Sequence, residues 1–205
     1  QEIYLDAFYV DKYEVSVEEY NKYRKVANYV EPSVPFFQGD SEVMKIPSHA
    51  VVGVSWHDAT NYCTWAGKRL LTEAEWEKAA RGTHGLKFPW GNKLLPKRAN
   101  LAGTGDGHTY MSPVGIYPMG RSVYGVYGMA GNVSEWVADF YDQFYYQSAP
   151  MMNPTGPENG KNHVFRGGSW DARSVDIRTS KRFAASPGRK DGILGFRCGR
   201  SKDPK

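Results

Sequence analysis

The chain is poor in thiols, in long apolar runs and in concentrated charge. Only two of its 205 residues are cysteines, Cys63 and Cys198. No apolar run approaches the ~18 residues needed to cross a bilayer, which argues against a membrane span. Its 26 basic and 22 acidic residues leave a net charge of +4, and no run of five like charges occurs. The stripe of Lys and Arg that marks a nucleic-acid surface is missing, so no nucleic-acid partner is expected. The five histidines show no H-x-x-H or H-E-x-x-H spacing, which speaks against a zinc or non-haem iron centre. A P-loop, a dinucleotide fingerprint and a G-x-S-x-G elbow are also lacking. The first residue is Gln1 rather than Met, as expected after processing or trimming, so no targeting segment can be read.

What is abundant is aromatic and turn-forming: 14% aromatics, with 6 Trp and 14 Tyr, beside 22 Gly and 12 Pro. Such a chain favours irregular backbone fixed by turns and by large flat side chains. A length of 205 residues with 40% hydrophobic content fits one domain spanning 1–205. Ile3 to Val10 reads as a strand. Ser16 and Glu19 form a capping box that opens a helix through Val26. The stretch EPSVPFF (31–37) is loop, and Val51 to Ser55 a short buried strand. A second helix, Trp56 to Ala66, stops at Gly67 and aligns Trp56, Ala59, Cys63 and Ala66 on one face. Thr72 and Glu75 cap a third helix whose apolar face is Trp76, Ala79 and Ala80. From Gly82 to Gly131 turn signals replace helix, and a loop region of that length needs an ordering device such as metal ions. Val164 to Trp170 and Gly195 to Gly199 are strand-like.

Three groups of residues could carry function. The two cysteines lie far apart, one on a helix and one in a late strand, which suits a structural staple or two separate buried thiols better than a redox pair. A bridge between them would be worth at most about 5 kcal/mol in the chain-entropy model and implies an oxidising, extracytoplasmic compartment. Two Gly-punctuated loops offer hard-cation ligands: ANLAGTGDGH with Asn100, Leu101, Asp106 and His108, and GMAGNVSE from Gly128 to Glu135. The third group is polar and aromatic: Trp170, Asp171, Arg173, Asp176, Arg178, Lys181 and Arg182. It is either a salt-bridged surface loop or a recognition surface for an extended or anionic ligand.

The ordered motifs YCTWAGKRLLTEAEWEKAARG (62–82), FPWGN (88–92), GMAGNVSEW (128–136), RGGSW (166–170) and GFRC (195–198) closely resemble the formylglycine-generating enzyme, or sulfatase-modifying factor, family. The resemblance covers roughly Phe8 to Arg200, and the family's opening strand is missing or shortened. It implies a compact, loop-rich α+β fold of the C-type-lectin-like superfamily with two calcium ions. Carried over, the first calcium site is Asn100, Leu101, Asp106 and His108, and the second Gly128, Gly131, Val133 and Glu135. The family commonly has Asn or Asp where Gly128 stands, so position 128 supplies no side-chain ligand to the second site. The resemblance also implies a Cys63–Cys198 disulfide.

The family's enzyme oxidises a sulfatase cysteine to formylglycine with copper held by two cysteines shortly after its GGS. Here those positions are Ala172 and Ile177, and no cysteine lies between Gly168 and Phe196. Thiolates are the ligands that select Cu(I), so copper and formylglycine chemistry are not expected. The expectation is a non-catalytic, calcium-stabilised scaffold that binds a peptide, protein or glycan through the 170–190 loop. The alternative is an oxidoreductase or maturation enzyme of different chemistry.

Overall fold

The computed structural model describes residues 2–34, 41–103 and 105–202. Three helices begin as their residues dictate. α1 (Val17–Ala27), α2 (Trp56–Trp65) and α3 (Glu73–Arg81) each carry a complete capping box, from Ser16 to Glu19, Ser55 to Asp58 and Thr72 to Glu75. Each box satisfies main-chain N–H groups that a helix start leaves bare. α1 ends on Asn28 in the left-handed region and α3 at Gly82.

Two small sheets frame these helices. In the first, β7 (Cys198–Ser201) lies between β1 (Phe8–Val10) and β2 (Arg69–Leu70), antiparallel to both. The second runs β5 (Phe183–Ala185), β4 (His163–Arg166), β3 (Ser134–Phe140), β6 (Leu194–Phe196), with β3 and β6 parallel. A short helix, α4 (Tyr145–Ser148), follows β3. The main core gathers Tyr20, Tyr23, Tyr62, Trp136 and Phe196 around the Cys63–Cys198 disulfide, which joins α2 to β7 across 135 positions.

Several boundaries differ from those expected. The first strand shrinks to Phe8–Val10, because Tyr4 bridges only to Met152. Val51 to Ser55 is buried but is not a strand. Its N–H groups go to loops, Val51 to Val15 O at 2.9 Å and Gly53 to Asp191 O at 3.0 Å, and Gly53 at φ 73° breaks the extended run. The piece read as Val164 to Trp170 stops at Arg166, and Gly195 to Gly199 divides into β6 and β7 of different sheets, with Arg197 at the joint. β3 went unread, since SEWVADF places two acids inside a buried strand. The region from Gly82 to Gly131 is free of α-helix among the described residues; it holds one 3-10 turn, Pro118–Gly120. Pro35 to Phe37 of the expected loop fall outside the described residues.

Asp139 of β3 shows what such burial does. One carboxylate oxygen accepts from the Glu73 N–H at 2.7 Å, at the start of α3, and the other is buried without a partner. Burial pushes its pKa up to about 7, with Glu73 and Glu75 adding to the rise. A carboxyl whose folded pKa exceeds its unfolded value contributes most below the unfolded pKa of about 4 and loses that contribution as pH rises toward 7. Asp139→Asn keeps the acceptor for Glu73 and removes the charge. Urea unfolding is therefore expected to show the variant more stable than the parent at pH 8, by about 2–4 kcal/mol, with the gap shrinking toward pH 5. A gap that grows on acidification would contradict this.

Candidate functional site

The first Gly-punctuated loop closes on itself through Asp106. Its carboxylate accepts from the Leu101 N–H at 3.1 Å and from the His108 N–H at 3.0 Å. Asn100 is fully buried, and its amide donates to Tyr110 O at 2.7 Å. That bond orients the side chain and leaves Asn100 Oδ1 buried without a hydrogen-bond partner. A buried oxygen without a donor costs free energy unless a cation or water faces it. Among the described residues no three His, Cys, Asp or Glu side chains converge as metal ligands. A cation here must therefore draw on amide and main-chain oxygens, the donors that suit calcium.

The second loop is built around two buried carboxylates and one guanidinium. Arg197 grips Glu135 with two bonds, Nε to Oε2 at 2.7 Å and Nη2 to Oε1 at 2.6 Å, while Trp76 Nε1 donates to Oε2 at 2.8 Å. Arg197 also reaches Tyr127 O and Asp11 O. Glu14, absent from the residues expected at this site, completes the cluster. Its Oε1 accepts from Asn132 Nδ2 at 2.9 Å; its Oε2 is buried, unpartnered and 3.9 Å from Arg197. A Cβ on Gly128, at φ 70°, would lie 2.2 Å from the Glu14 carboxylate. Gly128 thus makes room for the acid: a carboxylate from the N-terminal segment stands where a side chain at 128 would stand. Burial raises the Glu14 pKa, opposed by Arg197 and reinforced by Glu135.

The 170–182 loop is not one continuous recognition face. Trp170 donates Nε1–H to Gly192 O at 2.9 Å and packs edge-on against Tyr110. Asp171 is exposed. Arg173 pairs with Asp176 at 3.2 Å. Arg182 is committed elsewhere, with two bonds to Glu73, one to Asp142 O, and its guanidinium over Tyr141 and Tyr146. Arg178 donates to Val175 O and, with Ser174 and Val175, lines a groove of about 240 Å³ whose other wall is Lys87, Phe88 and Leu94. Phe88 also belongs to a packed cluster with Ala99, Leu101, Ala130, the fully buried Ile177 and the partly buried Ala172. The side chains of Ala172 and Ile177 approach each other closely, since a Cβ on Gly168 would touch both at 3.2 and 2.8 Å. This cluster is apolar, and no cysteine is free, because both are in the disulfide.

These motifs and this fold have known counterparts. Residues 1–202 match the Sulfatase-modifying factor enzyme 1-like domain. The chain belongs to that family. Formylglycine-generating enzyme from Bos taurus is 35% identical over 250 residues, covering 95% of this chain and 66% of its own length. The bovine protein named inactive C-alpha-formylglycine-generating enzyme 2 is 39% identical over 176 residues, covering 78% of this chain and 52% of its own. The chain thus spans about half to two thirds of these relatives. Among solved structures, PvdO from Pseudomonas aeruginosa superposes with a TM-score of 0.82 at 31% identity, covering 95% of this chain and 80% of its own. The expected α+β, loop-rich fold of the formylglycine-generating enzymes is the one observed.

Ala172 and Ile177, where the resemblance to the family places its copper-binding cysteines, are two packed apolar side chains that offer copper no ligand atom. Sequence reading missed Glu14 and the Lys87–Phe88 wall. For Glu14 the available signal was an acid between two hydrophobic residues, Tyr13 and Val15.

Proposed function

We propose that this chain is a non-catalytic family member, a calcium-stabilised scaffold that binds a peptide, protein or glycan in the groove between Ser174–Arg178 and Lys87–Leu94. The observation that carries this reading is the apolar cluster packed behind Phe88, one of the groove's lining residues. Ala172 and Ile177 offer no nucleophile, no redox centre and no soft ligand, while Arg178, Ser174 and Lys87 leave polar groups at the rim of the groove. The bovine relative whose name marks it inactive supports the non-catalytic part of this reading. The buried disulfide fits folding in an extracytoplasmic compartment, where such bridges persist. No helix among the described residues is long and apolar enough to cross a membrane.

Calcium in the first loop would be held by Asn100 Oδ1, the Asp106 carboxylate and the main-chain oxygens of Leu101 and His108. In the second, Glu14 and Glu135 would serve with the carbonyls of Gly128, Gly131 and Val133. The ion supplies positive charge to oxygens buried in loops and so orders the Gly82–Gly131 region beneath the groove. The unpartnered Asn100 Oδ1 and Glu14 Oε2 support both assignments.

Binding at a hundred times the dissociation constant stabilises by about 2.7 kcal/mol, which for a chain of this size raises Tm by about 5–10 °C. Calcium is expected to give such a rise over EDTA, and Asp106→Asn to remove a large part of it; an unchanged Tm in calcium contradicts the assignment. For the groove, the immobilised protein is expected to retain ligands from peptide or glycan arrays whose affinity drops about tenfold or more on Arg178→Ala. Finding no ligand sensitive to that change would remove the binding role.

A further inference from the structure

The walls of the groove share a charge pattern that names the chemistry of the ligand. From Lys78 to Ser134 the chain carries Lys78, Arg81, Lys87, Lys93, Lys97, Arg98 and Arg121, and Asp106 is the sole acid. Asp106 is turned into its own loop, bonded to Leu101 and His108. Elsewhere basic side chains are mostly neutralised, as in Arg69–Glu75, Arg166–Glu73, Lys190–Asp58 and Arg197–Glu135. Among the described residues, Lys87, Lys93, Lys97, Arg98, Arg121 and Arg178 form no ion pair with a carboxylate.

Four of these cations, Lys87, Arg178, Arg98 and Arg121, line two depressions that meet along the segment 86–90. One is the groove already described; the other, of about 390 Å³, is lined by Pro89, Trp90, Arg98, Met119, Arg121 and Val123. Neither is lined by an Asp or a Glu. Between the cations stand exposed aliphatic side chains: Leu94 is 49%, Val175 52%, Met119 61% and Val123 59% accessible. Exposed apolar groups set among unneutralised cations mark an interaction surface for an amphipathic anion. A polyhydroxylated glycan gains little from aliphatic walls. Bases of a single-stranded nucleic acid need exposed aromatic faces, whereas Phe88 is buried and stacked on Trp90 at 5.4 Å.

We propose that the partner of this surface is an acidic, aliphatic-rich polypeptide segment in extended conformation. Its carboxylates meet Lys87, Arg178, Arg98 and Arg121, and its apolar side chains enter the depressions on either hand of the 86–90 segment. This rests on the binding role proposed above and specifies its ligand.

The test is fluorescence anisotropy with a labelled peptide of alternating Glu and Leu, run against the full chain. Controls are the same peptide with Gln or Lys for Glu, a sulfated oligosaccharide and a single-stranded oligonucleotide. The Glu peptide is expected to bind, to weaken about tenfold or more when Gln replaces Glu, and to weaken as salt rises from about 50 to about 300 mM. The double variant Lys87→Glu/Arg121→Glu, at two exposed positions, is expected to lose about tenfold or more. The charge-matched Lys25→Glu/Lys161→Glu, away from the groove, is expected to bind as the parent does, which guards against a mere net-charge effect. The proposal is overturned if the Glu peptide does not bind, if the Lys peptide, oligosaccharide or oligonucleotide binds as tightly, or if Lys87→Glu/Arg121→Glu changes nothing. A ligand that depends on Arg178 but ignores Lys87→Glu/Arg121→Glu would sink this proposal and leave the binding scaffold standing. Absence of any ligand sensitive to Arg178→Ala would sink both.

Discussion

The buried contact between Arg197 and Glu135 is the constraint on which the other parts depend. Arg197 sits where the chain leaves one sheet at Phe196 and enters the other at Cys198. Its guanidinium meets Glu135 of the central strand, which also holds the indole of Trp76 from α3, and it takes the carbonyls of Asp11 and Tyr127 from two loops. One side chain therefore fixes both sheets, a helix and the second Gly-rich loop in mutual register. The neighbouring residue, Cys198, is covalently tied to α2. A buried ion pair is weak evidence of net stability, but removing one partner strands a charge at a cost of about 3–5 kcal/mol. Its worth here lies in the register it imposes.

That rigidity explains how a chain with so little regular structure can present a defined groove. The loops at the groove are held from below, Asn100 and Asp106 on one side and Ile177 with Ala172 on the other. A second buried network, Arg166 with Glu73 and Glu77 and Arg182 with Glu73, anchors the far end of the 170–182 loop. Arg182 thereby leaves the set of groups able to meet a ligand, whereas Arg178 and Ser174 stay at the rim. The same loop is tied into the fold at its ends and leaves polar side chains at the groove in its middle.

Much of this was legible in the sequence where the cause is local. Ser16–Glu19 and Thr72–Glu75 announced two helices because capping boxes act over three residues. The face shared by Ala59 and Cys63 pointed the thiol inward, as observed. What stayed hidden depends on contacts distant along the chain. β3 carries Glu135 and Asp139, two acids that hide a buried strand until Arg197 and the Glu73 N–H are seen to receive them. Glu14 could not be tied to Gly128 because the two are brought together only by the fold. Val51 to Ser55 has the composition of a buried strand but no strand beside it, so its hydrogen bonds go to loops. The groove was half visible: its 174–178 wall lay inside the predicted loop, while Lys87 and Leu94 flank the FPWGN motif (88–92), which was read as a turn.

The family relationship and the packed apolar pair Ala172 and Ile177 lead to one central claim, that this domain has kept the scaffold of the formylglycine-generating enzymes without their thiol-dependent oxidation. The most direct measurement is aerobic incubation of the copper-supplemented protein with a Cys-x-Pro-x-Arg peptide, followed by mass spectrometry of the peptide. The account predicts that the cysteine is recovered with no formylglycine above a protein-free control. Catalytic conversion, with many peptides turned over per chain, would contradict it.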